Sequence, residues 1–163
     1  MAEIRPADIQ DLPRIFEIYN REVRGEITTF DIEPRVEGVD DGWLTERAPH
    51  HPVVVAVEDG DVVGWASIGP WSPRGAYRRT GEVSVYVDER FRGRGLGKQL
   101  LVDLVDRASD IPEISVLLAR IAQPNPASEA AHKAVGFRSF GTQRRAGEKF
   151  GRVLDVELLD LHL

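Results

Sequence analysis

The sequence predicts an α/β (α+β) fold, a mixed sheet with helices on its faces. Three observations carry that prediction. Strand-like and helix-like segments alternate through the middle of the chain. Pairs of strand-like segments stand near its two ends. A glycine-rich turn, Arg92 to Gly97, joins one central strand to one central helix. At about 100–200 residues per domain, the 163-residue chain is expected to form a single domain over residues 1–163.

Each element has its own signal. Ala2–Arg5 reads as a short first strand ended by Pro6. Asp8 or Asp11 then opens a helix that carries Leu12, Ile15, Phe16, Ile18, Tyr19 and Val23 at helical spacing. Gly25–Pro34 reads as a loop, and a second helix is expected from about Val36 to Arg47, anchored by Trp43 and Leu44. Val53–Glu58 and Val62–Ile68 are strand-like, and Asp59-Gly60-Asp61 between them is a hairpin turn signal. Gly69–Gly81 is a polar loop with two prolines, and Glu82–Val87 is a strand with alternating valines. After the glycine turn, Leu96, Leu100, Leu101, Leu104 and Val105 mark one side of a helix. Ile114–Ile121 is the next strand, and Ala127–Val135 is a short helix that Gly136 caps. Strands at about Arg138–Arg145 and Arg152–Leu159 close the chain.

Composition excludes several classes. Hydrophobic residues make up 42% and charged residues 29%, the profile of a soluble globular protein. The net charge of −6 argues against a general nucleic-acid binder. The chain has no Cys, which removes thiol nucleophiles, disulfide frameworks and zinc–thiolate sites, and fits a reducing, cytoplasmic setting. The longest aliphatic run, Val53–Val57, is far short of the roughly 20 residues of a membrane helix, so no membrane partner is expected. The N-terminus has no apolar signal core. His50, His51, His132 and His162 form no ligand-spaced cluster, so no metal is expected. A serine nucleophile elbow around Ser67 would need glycine where Trp65 stands.

The glycine turn carries the sharpest chemistry. Gly93, Gly95 and Gly97 let the backbone come close to a ligand, and amides at a helix start favour an anion such as a pyrophosphate. Arg90, Arg92, Arg94 and Lys98 concentrate positive charge there in a protein that is acidic overall. A P-loop fails, because Arg92 stands where its first glycine belongs and Gln99 follows Lys98. A dinucleotide fingerprint fails at Lys98, where its third glycine belongs.

What does fit is Arg-x-x-Gly-x-Gly, as Arg92, Gly95 and Gly97. This resembles the acyl-CoA pyrophosphate loop of the GNAT N-acetyltransferase superfamily. Asn125, Ser128 and His132, followed by Gly136 and Phe137, resemble its second CoA-binding segment. More closely, the chain resembles the branch of phosphinothricin and methionine sulfone/sulfoximine N-acetyltransferases. Thr28-Thr29-Phe30, Gly69-Pro70-Trp71, Ala76-Tyr77-Arg78, Ser84-Val85-Tyr86-Val87 and Lys149-Phe150-Gly151-Arg152 match, so the likeness spans nearly the whole chain. Arg79 and Gly81 depart from the branch pattern beside the acceptor side, so they bear on the choice of acceptor rather than on CoA.

The resemblance implies a mixed, mostly antiparallel seven-stranded sheet flanked by about four helices. It also implies acetyl-CoA bound where two parallel strands splay, a small amino-acid-like amine as acceptor, and a homodimer. Glu82 is expected as the general base, a role worth about 10²–10⁴-fold. His132 is expected as a CoA contact or as an acid for the thiolate. A thiol pKa of about 8.5 makes an acid barely necessary near neutral pH. Val85, Tyr86 and Val87, then Arg92, Gly93, Arg94, Gly95, Leu96, Gly97 and Lys98, and Asn125, Ser128 and His132 are the expected cofactor-binding residues. A main-chain N–H at or near Val87 is expected to meet the thioester carbonyl. Thr29, Phe30, Arg74, Tyr77 and Glu82 are the expected acceptor-binding residues, with Phe30 and Tyr77 as apolar walls. Arg74 is favoured for a bidentate pair with a carboxylate, Arg78 and Arg79 compete for that role, and Lys149 and Arg152 are alternatives. A protein N-terminus or lysine acetyltransferase and a non-catalytic acyl-CoA-binding module are the alternatives.

Overall fold

The computed structural model describes residues 1–163. Its elements run β1 Glu3–Pro6, α1 Leu12–Gly25, α2 Gly42–Thr45, β2 Val53–Glu58, β3 Asp61–Pro70, β4 Thr80–Val87, α3 Leu96–Ser109, β5 Val116–Ala122, α4 Pro126–Val135, β6 Arg138–Lys149 and β7 Arg152–His162. The seven strands form one sheet in the order β1-β2-β3-β4-β5-β7-β6. Every neighbouring pair is antiparallel except β4 with β5. The mixed, mostly antiparallel seven-stranded sheet with four helices is therefore the architecture expected from the sequence.

The two faces of the sheet bury separate layers. Leu100, Leu101 and Leu104 of α3 pack on Val54, Ala66, Val83, Leu117 and Leu159. Leu12, Ile15, Phe16, Tyr19 and Val23 of α1 pack on Val53, Val55, Val62 and Trp65. The strand period of two divides these residues between the faces, and the helical period aligns them on each helix.

Several boundaries differ from the sequence reading, and three of them have local reasons. The helix expected over Val36–Arg47 contracts to the single turn Gly42–Thr45. Asp40 accepts the Val36 amide at 2.6 Å, Asp41 accepts the Gly38 amide at 2.8 Å, and Gly38 takes a φ of 82°. Those side chains offer the backbone a turn in place of a helix. Glu82 does not open its strand, because β4 begins at Thr80. Pro6 lies inside β1, an edge strand where its missing N–H is tolerated.

Gly81 sits where β3, β4 and β5 leave little room for a side chain. A Cβ would lie 2.6 Å from Ile68 Cγ2 and 3.3 Å from Leu117 Cδ2. Only glycine lets β3, β4 and β5 close over the core at that point. No helix is long and apolar enough to cross a membrane.

Candidate active site

The site begins where the ladder between β4 and β5 stops. Its register pairs are Thr80 with Val116, Gly81 with Leu117 and Glu82 with Leu118, and no pair follows. The direction of each backbone group beyond that point follows from strand alternation. The Asp88 amide donates to Val63 of β3 at 2.9 Å, so even-numbered residues of β4 address β3. The odd ones, Val85 and Val87, turn their N–H groups toward β5, which has moved away. On the other side, the Gln123 amide donates to Asp155 of β7, so Arg120 and Ala122 turn their backbone groups into the same gap. The open edge is thus lined by main-chain groups of both strands.

Both parallel strands lead into helices at the open end of the gap, α3 after β4 and α4 after β5. This places two helix starts, with their positive dipole ends, beside one crevice. Gly95 is the N-cap of α3 with a φ of 76°, and Gly93 has a φ of 77°. Asp88, buried between Arg14 and Arg90, fixes the entry to the turn by also accepting the Arg90 amide. The Arg90 guanidinium, followed by Arg14, holds the Asp88 carboxyl well below the usual carboxylate range against the opposing effect of its burial.

The four cations of the turn do not share one direction. Lys98 is exposed, without an ion pair. Arg94 reaches Glu58 at 3.4 Å and lies over Phe91, and Arg90 is held on Asp88. Arg92 turns inward. Its Nη2 donates to Glu22 of α1 and its Nε to the Val87 carbonyl at 3.0 Å. Leu96 is buried under α3, so among these residues it contributes its backbone to the crevice.

On α4, Asn125 is the N-cap and its Oδ1 accepts the Ser128 amide at 3.2 Å. His132 lies one turn on, 3% exposed, against the Phe137 ring. Its Nδ1 lies 2.7 Å from the Ser128 carbonyl and donates to it, which leaves Nε2 as the acceptor. Burial pushes the imidazole below its ordinary value, partly opposed by that hydrogen bond. In this state His132 is neutral near pH 7.

The other face of β4 carries Glu82. Its carboxylate accepts two hydrogen bonds from Arg120 of β5, at 2.9 and 2.5 Å, and the Arg120 guanidinium lies 4.8 Å over Trp71. Arg120 was not among the residues read from the sequence. It is the one charge in an otherwise apolar strand, Val116–Ala122, and that signal could have found it. Ser84 and Tyr86 follow Glu82 on the same face, with Ser67 and Trp65 opposite them on β3. Tyr86 lies tilted against Trp65 and edge-to-face with Tyr19. Burial pushes its hydroxyl above the ordinary phenol value.

Thr29 is drawn into this face by Tyr19, whose hydroxyl lies 2.9 Å from Thr29 Oγ1 and also donates to Asp31. Lys149, 4% exposed, donates to the Thr29 carbonyl at 2.8 Å. Phe30 covers Gly147 of β6, where no Cβ would fit. Arg74 and Tyr77 lie on an exposed turn over residues 74–77, between β3 and β4. Their side chains make no hydrogen bond. The structure therefore brings Glu82, Val85, Tyr86, Val87 and the glycine turn onto one strand and its exit. It sets Asn125, Ser128 and His132 beside them on α4. No group of three or more His, Asp or Glu side chains is arranged to hold a metal ion.

The chain matches the model of the acetyltransferase (GNAT) family over residues 12–137. It is 39% identical over 164 residues to an L-methionine sulfoximine/L-methionine sulfone acetyltransferase of Pseudomonas aeruginosa, covering 99% of this chain and 95% of that one. It is 36% identical over 158 residues to a phosphinothricin N-acetyltransferase of Streptomyces coelicolor, covering 94% of this chain and 92% of that one. Its fold superposes with a TM-score of 0.95 on the structure of yncA from Salmonella typhimurium with its cofactor acetyl-CoA, at 35% identity and with 100% and 94% of the two chains covered.

Proposed function

The chain belongs to the acetyltransferase (GNAT) family and is an N-acetyltransferase, and from that premise we propose that it acetylates the amine of a small amino-acid-like acceptor. Methionine sulfone, methionine sulfoximine and phosphinothricin represent the acceptor class, as in the names of the two relatives. The proposed catalytic unit spans residues 1–163 and works as a homodimer, consistent with β6, whose residues are exposed on both faces of an edge strand. One observation carries the reading: a carboxylate, Glu82, and the free amides of Val85 and Val87 stand on one strand, at the edge of a crevice that two helix starts flank.

The residues present fit acetyl-CoA. The turn Gly93–Gly97 offers backbone amides to its phosphates, Arg94 and Lys98 are exposed beside that turn, and the open edge of β4 offers paired donors and acceptors to amide groups. When bound, acetyl-CoA supplies an acyl group activated as a thioester. With acetyl-CoA bound, the Val85 and Val87 amides would be the donors available to a carbonyl oxygen on which negative charge develops. Arg120 occupies one lone pair on each Glu82 oxygen, so the carboxylate is fixed in position and keeps its remaining lone pairs for the amine proton. The α-ammonium of a free amino acid is less acidic than a peptide α-amine, whose pKa is about 7.7–8.0, so a base matters more for such an acceptor. His132 presents Nε2 as an acceptor, so it serves as a contact on the CoA side rather than as the acid. Transfer is direct in this scheme, and the absence of Cys, which removes a thioester intermediate on the enzyme, supports it.

The test is thiol release from acetyl-CoA with L-methionine sulfone, L-methionine sulfoximine, phosphinothricin, the common amino acids, polyamines and peptides with free N-termini. Turnover concentrated on the first three is expected. Turnover on peptides alone would replace this reading with that of a protein N-terminus acetyltransferase.

A further inference from the structure

We infer that Glu22 is a positioning residue that couples the glycine turn to the acceptor loop, and that the Arg92 side chain serves Glu22 rather than a phosphate. The inference rests on the functional reading above for the ligand each segment meets.

Glu22 sits in the apolar stripe of α1 between Tyr19 and Val23 and is 2% exposed. A carboxylate in that position is tolerated only when its oxygens are partnered. Oε1 accepts from Arg92 Nη2, and Oε2 accepts from the Thr28 hydroxyl at 2.6 Å. The backbone carbonyl of Glu22 accepts from Lys149 Nζ at 3.3 Å, and the same ammonium donates to the Thr29 carbonyl at 2.8 Å. Three segments distant in sequence therefore meet at one residue: the turn through Arg92, the loop through Thr28 and Thr29, and the end of β6 through Lys149.

Arg92 has two candidate anions, the buried carboxylate and a bound phosphate. Moving it to the phosphate would strand the Glu22 charge in the interior, and it would also release the Val87 carbonyl that Nε holds at 3.0 Å. The exposed Lys98 and Arg94 and the turn's amides serve a phosphate without that loss. Arg92 therefore anchors the turn to α1 and, through Glu22, to Thr28. A ligand that orders the turn orders the loop. By linkage, an acceptor that orders the loop raises the affinity for CoA by the same factor.

The test compares wild type with Glu22→Gln, Arg92→Gln and the double variant. CoA binding is measured by calorimetry with and without L-methionine sulfone. Amide hydrogen exchange of residues 26–31 is followed with and without CoA, and kcat and KM for the acceptor are separated. In wild type, CoA slows exchange of residues 26–31, and L-methionine sulfone tightens CoA binding by about fivefold or more. In Glu22→Gln and Arg92→Gln, that protection is lost and the acceptor KM rises by about tenfold with a much smaller change in kcat. The double variant is no worse than the worse single one. Unchanged protection in Glu22→Gln would overturn the inference. So would a large loss of CoA affinity in Arg92→Gln with the loop's exchange intact. Should Glu22→Gln not fold, Thr28→Val decides, since it removes the loop's link alone and is expected to abolish the protection while CoA still binds. The exchange readout needs no turnover. Intact coupling without transfer to any amine therefore supports this inference and sinks only the acceptor assignment.

Discussion

Along the edge of β4 that faces β5, the site is made of main chain: the Val85 and Val87 amides, a turn of positive-φ glycines and two helix starts. On the α1 side of the same strand it is made of side chains from separate segments: Glu82 with Arg120, Tyr19 with Thr29, Lys149 with the loop carbonyls. The first kind of site depends on where strands end and on which residues accept a left-handed backbone. The second depends on ion pairs and hydroxyl contacts, each of which one substitution can remove.

The largest expected effect would cut the two sides apart. Glu82→Gln should lower kcat by about 10²–10⁴-fold while CoA binds with unchanged affinity, as steady-state kinetics and calorimetry would read. Loss of CoA affinity in step with kcat would mean that the two sides are one. Gly95→Val tests the backbone side. A Cβ there meets nothing within 4 Å, so packing predicts no effect, but the φ of 76° is costly for a β-branched residue. CoA affinity should fall by roughly tenfold, matching about 1–2 kcal/mol of backbone strain, with kcat at saturation little changed.

The smallest effect concerns pH. Burial lowers the His132 pKa in the folded state, so below the ordinary value of about 6.5 the unfolded chain binds more protons than the folded one. Stability from this group is full above that pH and declines as pH falls toward the folded value. His132→Gln should flatten that part of a plot of melting temperature against pH. An unaltered slope would place His132 in contact with solvent in the folded chain.

The backbone side was legible in the sequence because its signals are local. Three glycines between a valine strand and a leucine helix, or Asn125-Pro126 before a short helix, announce themselves within ten residues. The side-chain side was legible only in part. Glu82 and Thr29 came through the family likeness, whereas Arg120 and Glu22 did not come through at all, since their partners lie 38 and 70 residues away. Each left a trace nonetheless, a single charge in an apolar strand or an apolar helix face. The lost helix at Val36–Arg47 teaches the reverse. Trp43 and Leu44 have the right spacing, but Asp40 and Asp41 bind backbone amides and keep the segment in turns.

The short ladder between β4 and β5 also has a mechanical meaning. Three register pairs join a leaf of β1 to β4 with a leaf of β5, β7 and β6. The two leaves also meet in the oily layer beneath α3, where Val83 of one leaf and Leu117, Ala119 and Ile121 of the other join one cluster with Leu100, Leu101 and Leu104. The sheet behaves as two boards glued along their backs rather than nailed along their edges. The opening that admits a cofactor is therefore held by the same leucines that hold the protein together.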